Sequence, residues 1–106
     1  MTDRELLELA AKAAGYEVEW VRNSGCFYRC EEEIGRETFD SLDDDGDAFG
    51  LAAKLQLDIE WFTNMQYVTV ERRGFGENIR WTDDAGRSGA LRRAITVVAA
   101  QIGKTL

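Results

Sequence analysis

Apolar side chains in this chain recur at helical spacing, then alternate, and this switch happens twice before a last helical segment. Leu6, Leu7, Ala10, Ala13 and Ala14 form the first stripe. Thr2 and Glu5 ahead of it have capping-box spacing, and Gly15 stands where a left-handed cap is wanted. Alternation follows. Tyr16, Val18 and Trp20 share one face and Glu17 and Glu19 the other. Asn23, Ser24 and Gly25 predict a turn, and a second strand from residue 26 to about 32 closes a hairpin. Residues 36–42 read as irregular, with Phe39 and Leu42 as anchors.

A second helix is predicted from near Asp44 to near Leu55, its buried stripe made by Ala48, Leu51, Ala52 and Leu55. Leu57, Ile59 and Trp61 then alternate with Asp58 and Glu60 as a third strand. In a fourth, Val68 and Val70 oppose Thr69 and Glu71. A turn at Gly74, Phe75 and Gly76 leads to a short fifth strand at Ile79, Arg80 and Trp81. The last helix is predicted to start at a Ser88 cap and end near Gln101. Leu91, Ala94, Ile95, Val98 and Ile102 form its core face, and Gly103 lies past its end.

The expected fold is α+β, a layered sandwich of three helices on an antiparallel sheet of about four strands, in the order α-β-β-α-β-β-α. Two helix-plus-hairpin units and a closing helix fit one domain over residues 1–106. The clean alternation leaves one sheet face polar, with Glu17, Glu19, Asp58, Glu60, Thr69 and Glu71. Water, a partner or a second copy in a homodimer would meet that face.

Charge sharpens this picture. The net charge is -7, but residues 31–60 hold 11 acidic and 2 basic side chains, and residues 61–106 hold 4 acidic and 7 basic. Such an acidic middle repels phosphates, which argues against direct nucleic-acid binding. It suits either a solvated face or a docking surface for a protein with a basic surface. Asp43, Asp44, Asp45, Asp47, Asp58 and Glu60 are its centre. Phe62, on the polar side of its strand, is a candidate contact residue with them, as is Phe75 at a turn. The aspartates also suit the N-terminus of the second helix, where capping and the dipole favour negative charge.

Catalytic chemistry finds little support. The chain has no histidine. Cys26 and Cys30 stand four apart in one predicted strand, too far to bridge each other, and read as buried free thiols suited to a reducing compartment. Ser24, Ser41 and Ser88 fall in turn or capping contexts. Aligned on Gly46, a calcium-loop pattern needs a ligand at position 52, where alanine stands, so no metal or other cofactor is expected. Gly74 and Gly76 lie between strands rather than before a helix, which fits a turn and not a phosphate loop. Arg72, Arg73, Arg80, Arg87, Arg92 and Arg93 offer an alternative, a basic pocket for a nucleotide signal with Tyr67, Phe75 or Trp81 stacking on the base. No apolar run reaches a membrane span, and the start of the chain lacks a signal-peptide plan, so a cytoplasmic protein is expected.

Three segments together resemble the phage ABA sandwich domain family, small proteins encoded by tailed phages and prophages. They are residues 1–15, residues 43–57 with their acidic-glycine run into a helix, and residues 92–104. Members tend to carry tryptophan, asparagine and proline before the acidic run, where this chain has Phe39, Asp40 and Ser41. The resemblance implies a layered fold and a phage origin, and no reaction. With the acidic surface it leads to the expectation of a non-enzymatic phage accessory protein acting in the host cytoplasm. An anti-defence inhibitor of anti-CRISPR type, docked on a host defence complex, is one form of it. A structural homo-oligomeric phage protein is another.

Overall fold

A computed structural model describes residues 1–30 and 37–106. The described chain runs α1 (Asp3–Ala14), β1 (Val18–Val21), β2 (Cys26–Arg29), β3 (Glu37–Phe39), α2 (Asp45–Leu55), β4 (Asp58–Phe62), β5 (Tyr67–Arg72), β6 (Phe75–Arg80) and α3 (Arg87–Gly103). The fold is α+β, as the pattern predicts, with six described strands rather than four or five. They form two antiparallel three-stranded sheets, ordered β1-β2-β3 and β4-β5-β6. Each sheet follows a helix, so each predicted helix-plus-hairpin unit is a helix plus a three-stranded meander.

The extra strands have local causes. β3 pairs Phe39 with Phe27 and Glu37 with Arg29. It is three residues long, too short to display an alternation. β6 starts earlier than expected because the turn is tighter than expected. Arg73 (φ 40°) and Gly74 (φ 91°) both take positive φ, and Arg72 faces Phe75 directly. Two such residues match the twist of the flanking strands, and glycine accommodates the second without strain. The predicted extension of β2 to residue 32 falls outside the described residues.

α1 begins and ends as its sequence implies. The Thr2 hydroxyl accepts from the Glu5 amide at 3.2 Å, and Gly15 caps the end at φ 77°. α3 departs at both ends. Ser88 lies inside its first turn, and among the described residues no side chain caps α3 itself; Asp83 instead caps the turn before it, accepting from the Gly86 amide at 2.8 Å. It closes a 3-10 turn over Asp84–Gly86 that runs straight into the helix. Gly103 is the buried last residue of α3 rather than a residue beyond it.

The helices form the centre of the core. α3 packs on α1, α2, β5 and β6. Alanine and glycine line the helical surfaces, with Ala10, Ala11, Ala14, Ala94, Ala99 and Ala100 all buried, so the backbones approach closely. Sheet β4-β5-β6 turns Val68 and Val70 toward α3. Sheet β1-β2-β3 contributes Phe27 and Phe39, with Trp20 edge-on to Phe27 at 5.0 Å and Tyr16 edge-on to Phe39 at 5.8 Å. The other face of β4-β5-β6 is open. Its register brings Asp58 opposite Glu71 and Glu60 opposite Thr69, and these three carboxylates are exposed.

Some expected burials are reversed. The alternation of Leu57, Ile59 and Trp61 with Asp58 and Glu60 implies an inward Trp61, yet it is 42% exposed, because β4 is an edge strand and its helix-side face overhangs α3. Phe75 packs against the core margin rather than tipping a turn. Cys30 is exposed and Cys26 half-buried, so the thiols are free but not core residues. Phe27 is the inward residue of β2, so alternation sets Cys26, Tyr28 and Cys30 on the other side.

Candidate functional site

The acidic run builds its own scaffold. The Asp40 carboxylate accepts from the Leu42 amide at 3.1 Å and the Asp43 amide at 3.3 Å, which folds the loop into a turn. Asp44 caps α2 by accepting from the Asp47 amide at 2.8 Å. Asp47 in turn accepts from the Asp40 amide at 2.9 Å, closing the circuit. Burial, reinforced by the Asp43 charge, pushes the Asp40 carboxyl up from its ordinary value. Burial also pushes Asp47 up, against the pull of its bond to the Asp40 amide.

A buried chain of hydroxyls anchors this loop to α3. Thr96 donates to the Arg92 carbonyl at 2.8 Å, so its oxygen is the acceptor for Ser41, 2.7 Å away. Both side chains are fully buried. Arg92 adds two more ties. Its Nε donates to the Leu42 carbonyl at 2.9 Å, and its Nη1 pairs with Asp45 at 2.7 Å.

The candidate contact residues therefore divide. Asp47 is half-buried and holds the loop, and Asp45 is paired with Arg92 while remaining exposed. Asp43 and Asp44 are exposed at the start of α2. Asp58 and Glu60 are exposed on the open face of β4, and among the described residues no cation pairs with them or with Glu71. Phe62 is half-buried, stacked on Tyr67 with centroids 4.6 Å apart.

The arginines do not converge. Arg92 is committed to Asp45 and Leu42, and Arg93 pairs with Asp3 at 3.2 Å. Arg72 and Arg73 flank the β5–β6 turn beside Ile102, roughly 14 Å along α3 from Arg93 at 1.5 Å per residue. Arg80 lies at the other end of β6 from Phe75. Arg87 pairs with Asp84 at 2.6 Å. Of the expected stacking partners, Trp81 is buried and Tyr67 is already stacked.

What the sequence did not single out is a groove of about 370 Å³ between α2, α3 and β4. Ala48, Phe49 and Ala52 form one wall, Ser88, Leu91 and Ile95 the other, and Ile59 and Trp61 the β4 side. Phe49 is 74% exposed and Ile59 39%, so three large apolar side chains stand partly in water at one place. Trp61 is held edge-on to the buried Trp81 at 5.6 Å, which fixes its plane against the groove. Asp45, Arg87 and Arg92 line the mouth. One signal for Phe49 was present in the sequence: it breaks the polar side of an otherwise regular amphipathic helix.

Among the described residues no cluster of three or more histidine, cysteine, aspartate or glutamate side chains could hold a metal ion, and no helix is long and apolar enough to cross a membrane. Comparison with protein-family models, with curated proteins and with solved structures gives no match.

Proposed function

We propose that this protein is a non-enzymatic binding module that docks a protein with a basic surface at the groove between α2, α3 and β4. The carrying observation is a coincidence of place. Phe49, Ile59 and Trp61 stand exposed at one groove whose mouth holds Asp45 with Arg87 and Arg92, Asp43 and Asp44 stand exposed just ahead of Asp45, and Asp58 and Glu60 are exposed on the opposite face of the strand that carries Ile59 and Trp61. Apolar anchors supply affinity when desolvated, and the surrounding charge selects and steers a partner of opposite sign. The chain has no histidine, the Ser41 hydroxyl is bonded to Thr96 in the core, and Arg92 is bonded to Leu42 and Asp45, which favours binding over catalysis.

The sequence resemblance to the phage ABA sandwich family supports the setting, an accessory protein made in an infected cell. An anti-defence inhibitor presenting negative charge to a nucleic-acid-binding host protein fits that setting and the -7 net charge.

The test is capture from bacterial lysate by the native protein and by a variant with Asp43→Asn, Asp44→Asn, Asp45→Asn, Asp58→Asn and Glu60→Gln. Asparagine at 44 still caps α2. The reading predicts a partner held by the native protein and lost by a folded variant. A partner held equally by both, or none held by either, contradicts it.

A further inference from the structure

The geometry points to strand addition at β4, in which an extended partner segment alternating basic and apolar side chains becomes a fourth strand beside β4. This rests on the binding-module reading above and specifies the partner's shape.

The sheet order makes β4 and β6 the two edges. They are treated differently. The side-chain amide of Gln101 donates to the Gly76 carbonyl at 3.1 Å and accepts from the Gly76 amide at 3.1 Å, so it pairs with β6 as a neighbouring strand would. Among the described residues no hydrogen bond reaches the outer edge of β4. Natural edge strands are commonly guarded by charge. On β4 only one face is guarded, by Asp58 and Glu60, while the other presents Ile59 and Trp61 to the groove.

An added strand would project alternate side chains to the two faces. Those on the groove side meet Phe49, Ile59, Trp61 and Leu91, so they are apolar. Those on the open side come to about 5 Å from Asp58 and Glu60, cross-strand distance, where opposite charge stabilises and like charge destabilises. Asp58 already faces Glu71, and no cation in the described residues offsets the three. Lysine or arginine on the partner would. The same charges disfavour a second copy, because β4 paired with itself would set these carboxylates against one another.

The test is calorimetric titration of the whole protein with four capped heptapeptides. The first alternates lysine and valine, and the second has the same composition in two blocks. The third and fourth are the alternating peptide N-methylated on one or the other set of alternate amides. Strand addition predicts that the alternating peptide binds about tenfold or more tighter than the block peptide, and that one methylated set destroys binding while the other spares it. Trp61→Ala should weaken the alternating peptide at least about tenfold. If that variant does not fold, Phe49→Ala reads the same groove from an exposed helical position.

Equal binding of block and alternating peptides would overturn strand addition and leave the acidic-surface reading standing. So would retention of both methylated peptides. A dimer at micromolar concentration that Trp61→Ala dissociates would assign the groove to a second copy and overturn it. Absence of binding by all four peptides would overturn it as well, while the lysate capture separately decides whether the protein binds a partner at all.

Discussion

Gly103→Ala should destabilise this protein even though alanine is the better helix former. Gly103 ends α3 where that helix presses on α1. A Cβ there would enter the van der Waals surface of the Leu9 carbonyl oxygen, stand 2.8 Å from the Leu9 carbonyl carbon, and lie 3.4 Å from the Ala13 nitrogen. All three are backbone atoms, so no side chain can swing aside. The helices must separate by about 1 Å, which forfeits a quarter to a half of each affected dispersion contact. With ~40 atom pairs of ~0.15 kcal/mol losing a third of their depth, the loss is about 2 kcal/mol. Helix propensity returns about 0.5–1 kcal/mol. The net cost is then about 1–2 kcal/mol, or roughly 5–15 °C in Tm for a domain of this size. Urea unfolding followed by tryptophan fluorescence, with thermal circular dichroism beside it, measures both. Gly89→Ala is the control. Its Cβ would meet only the Arg92 guanidinium at 3.6 Å, so it should be neutral or slightly stabilising. A Gly103→Ala protein as stable as the parent would refute the claim that α1 and α3 touch through this glycine.

Other expectations follow from the loop before α2 and from the thiols. Thr96→Val strands the buried Ser41 hydroxyl and should cost about 1–3 kcal/mol in urea unfolding, while adding Ser41→Ala should recover part of it. A double mutant no better than Thr96→Val would show that the pair is not coupled. Because burial raises the Asp47 carboxyl, the folded chain holds that proton more tightly than the unfolded one. Stability contributed by the protonated form is therefore present below the unfolded value and lost as pH rises through the folded value. Asp47→Asn keeps an oxygen for the Asp40 amide and should flatten the fall in urea midpoint across the weakly acidic range; Asp40, raised in the same direction, preserves part of the slope. An unchanged or steeper slope would contradict the assignment to Asp47. Cys30 should react rapidly with a coloured thiol reagent and Cys26 more slowly, with Cys30→Ser removing the fast phase. Two slow thiols would mean that neither is exposed.

How far the fold was legible depended on segment length and on edges. α1 and α2 announced themselves through stripe and cap together, Thr2 before one and Asp44 before the other. The alternation of Val68 and Val70 with Thr69 and Glu71 marked β5 as a strand with one buried face, and its central place in the sheet came from the structure. β3 was silent because three residues carry no period, and half of β6 was masked by Gly76 and Asn78 on its open side. The acidic surface was readable as composition, since no fold is needed to count carboxylates between residues 31 and 60. The division of labour within it was not. That Asp40, Asp44 and Asp47 are consumed by backbone amides while Asp58 and Glu60 are left unpaired is tertiary information. Trp61 was misplaced for a related reason. Alternation says which side chains share a face, and it cannot say that the face hangs past the end of its covering helices. Phe49 and Trp61, which belong to different elements, line one groove only because α2 and the edge strand flank the same stretch of α3.

Amide hydrogen exchange over Asp58–Phe62, with and without the alternating lysine–valine heptapeptide, tests the central claim most directly. A free edge predicts that alternate amides of β4 exchange quickly in the isolated protein and become protected when the peptide is bound. β4 amides that are all protected beforehand, or that stay unchanged while protection appears elsewhere, would show that the docking edge lies in another part of the molecule.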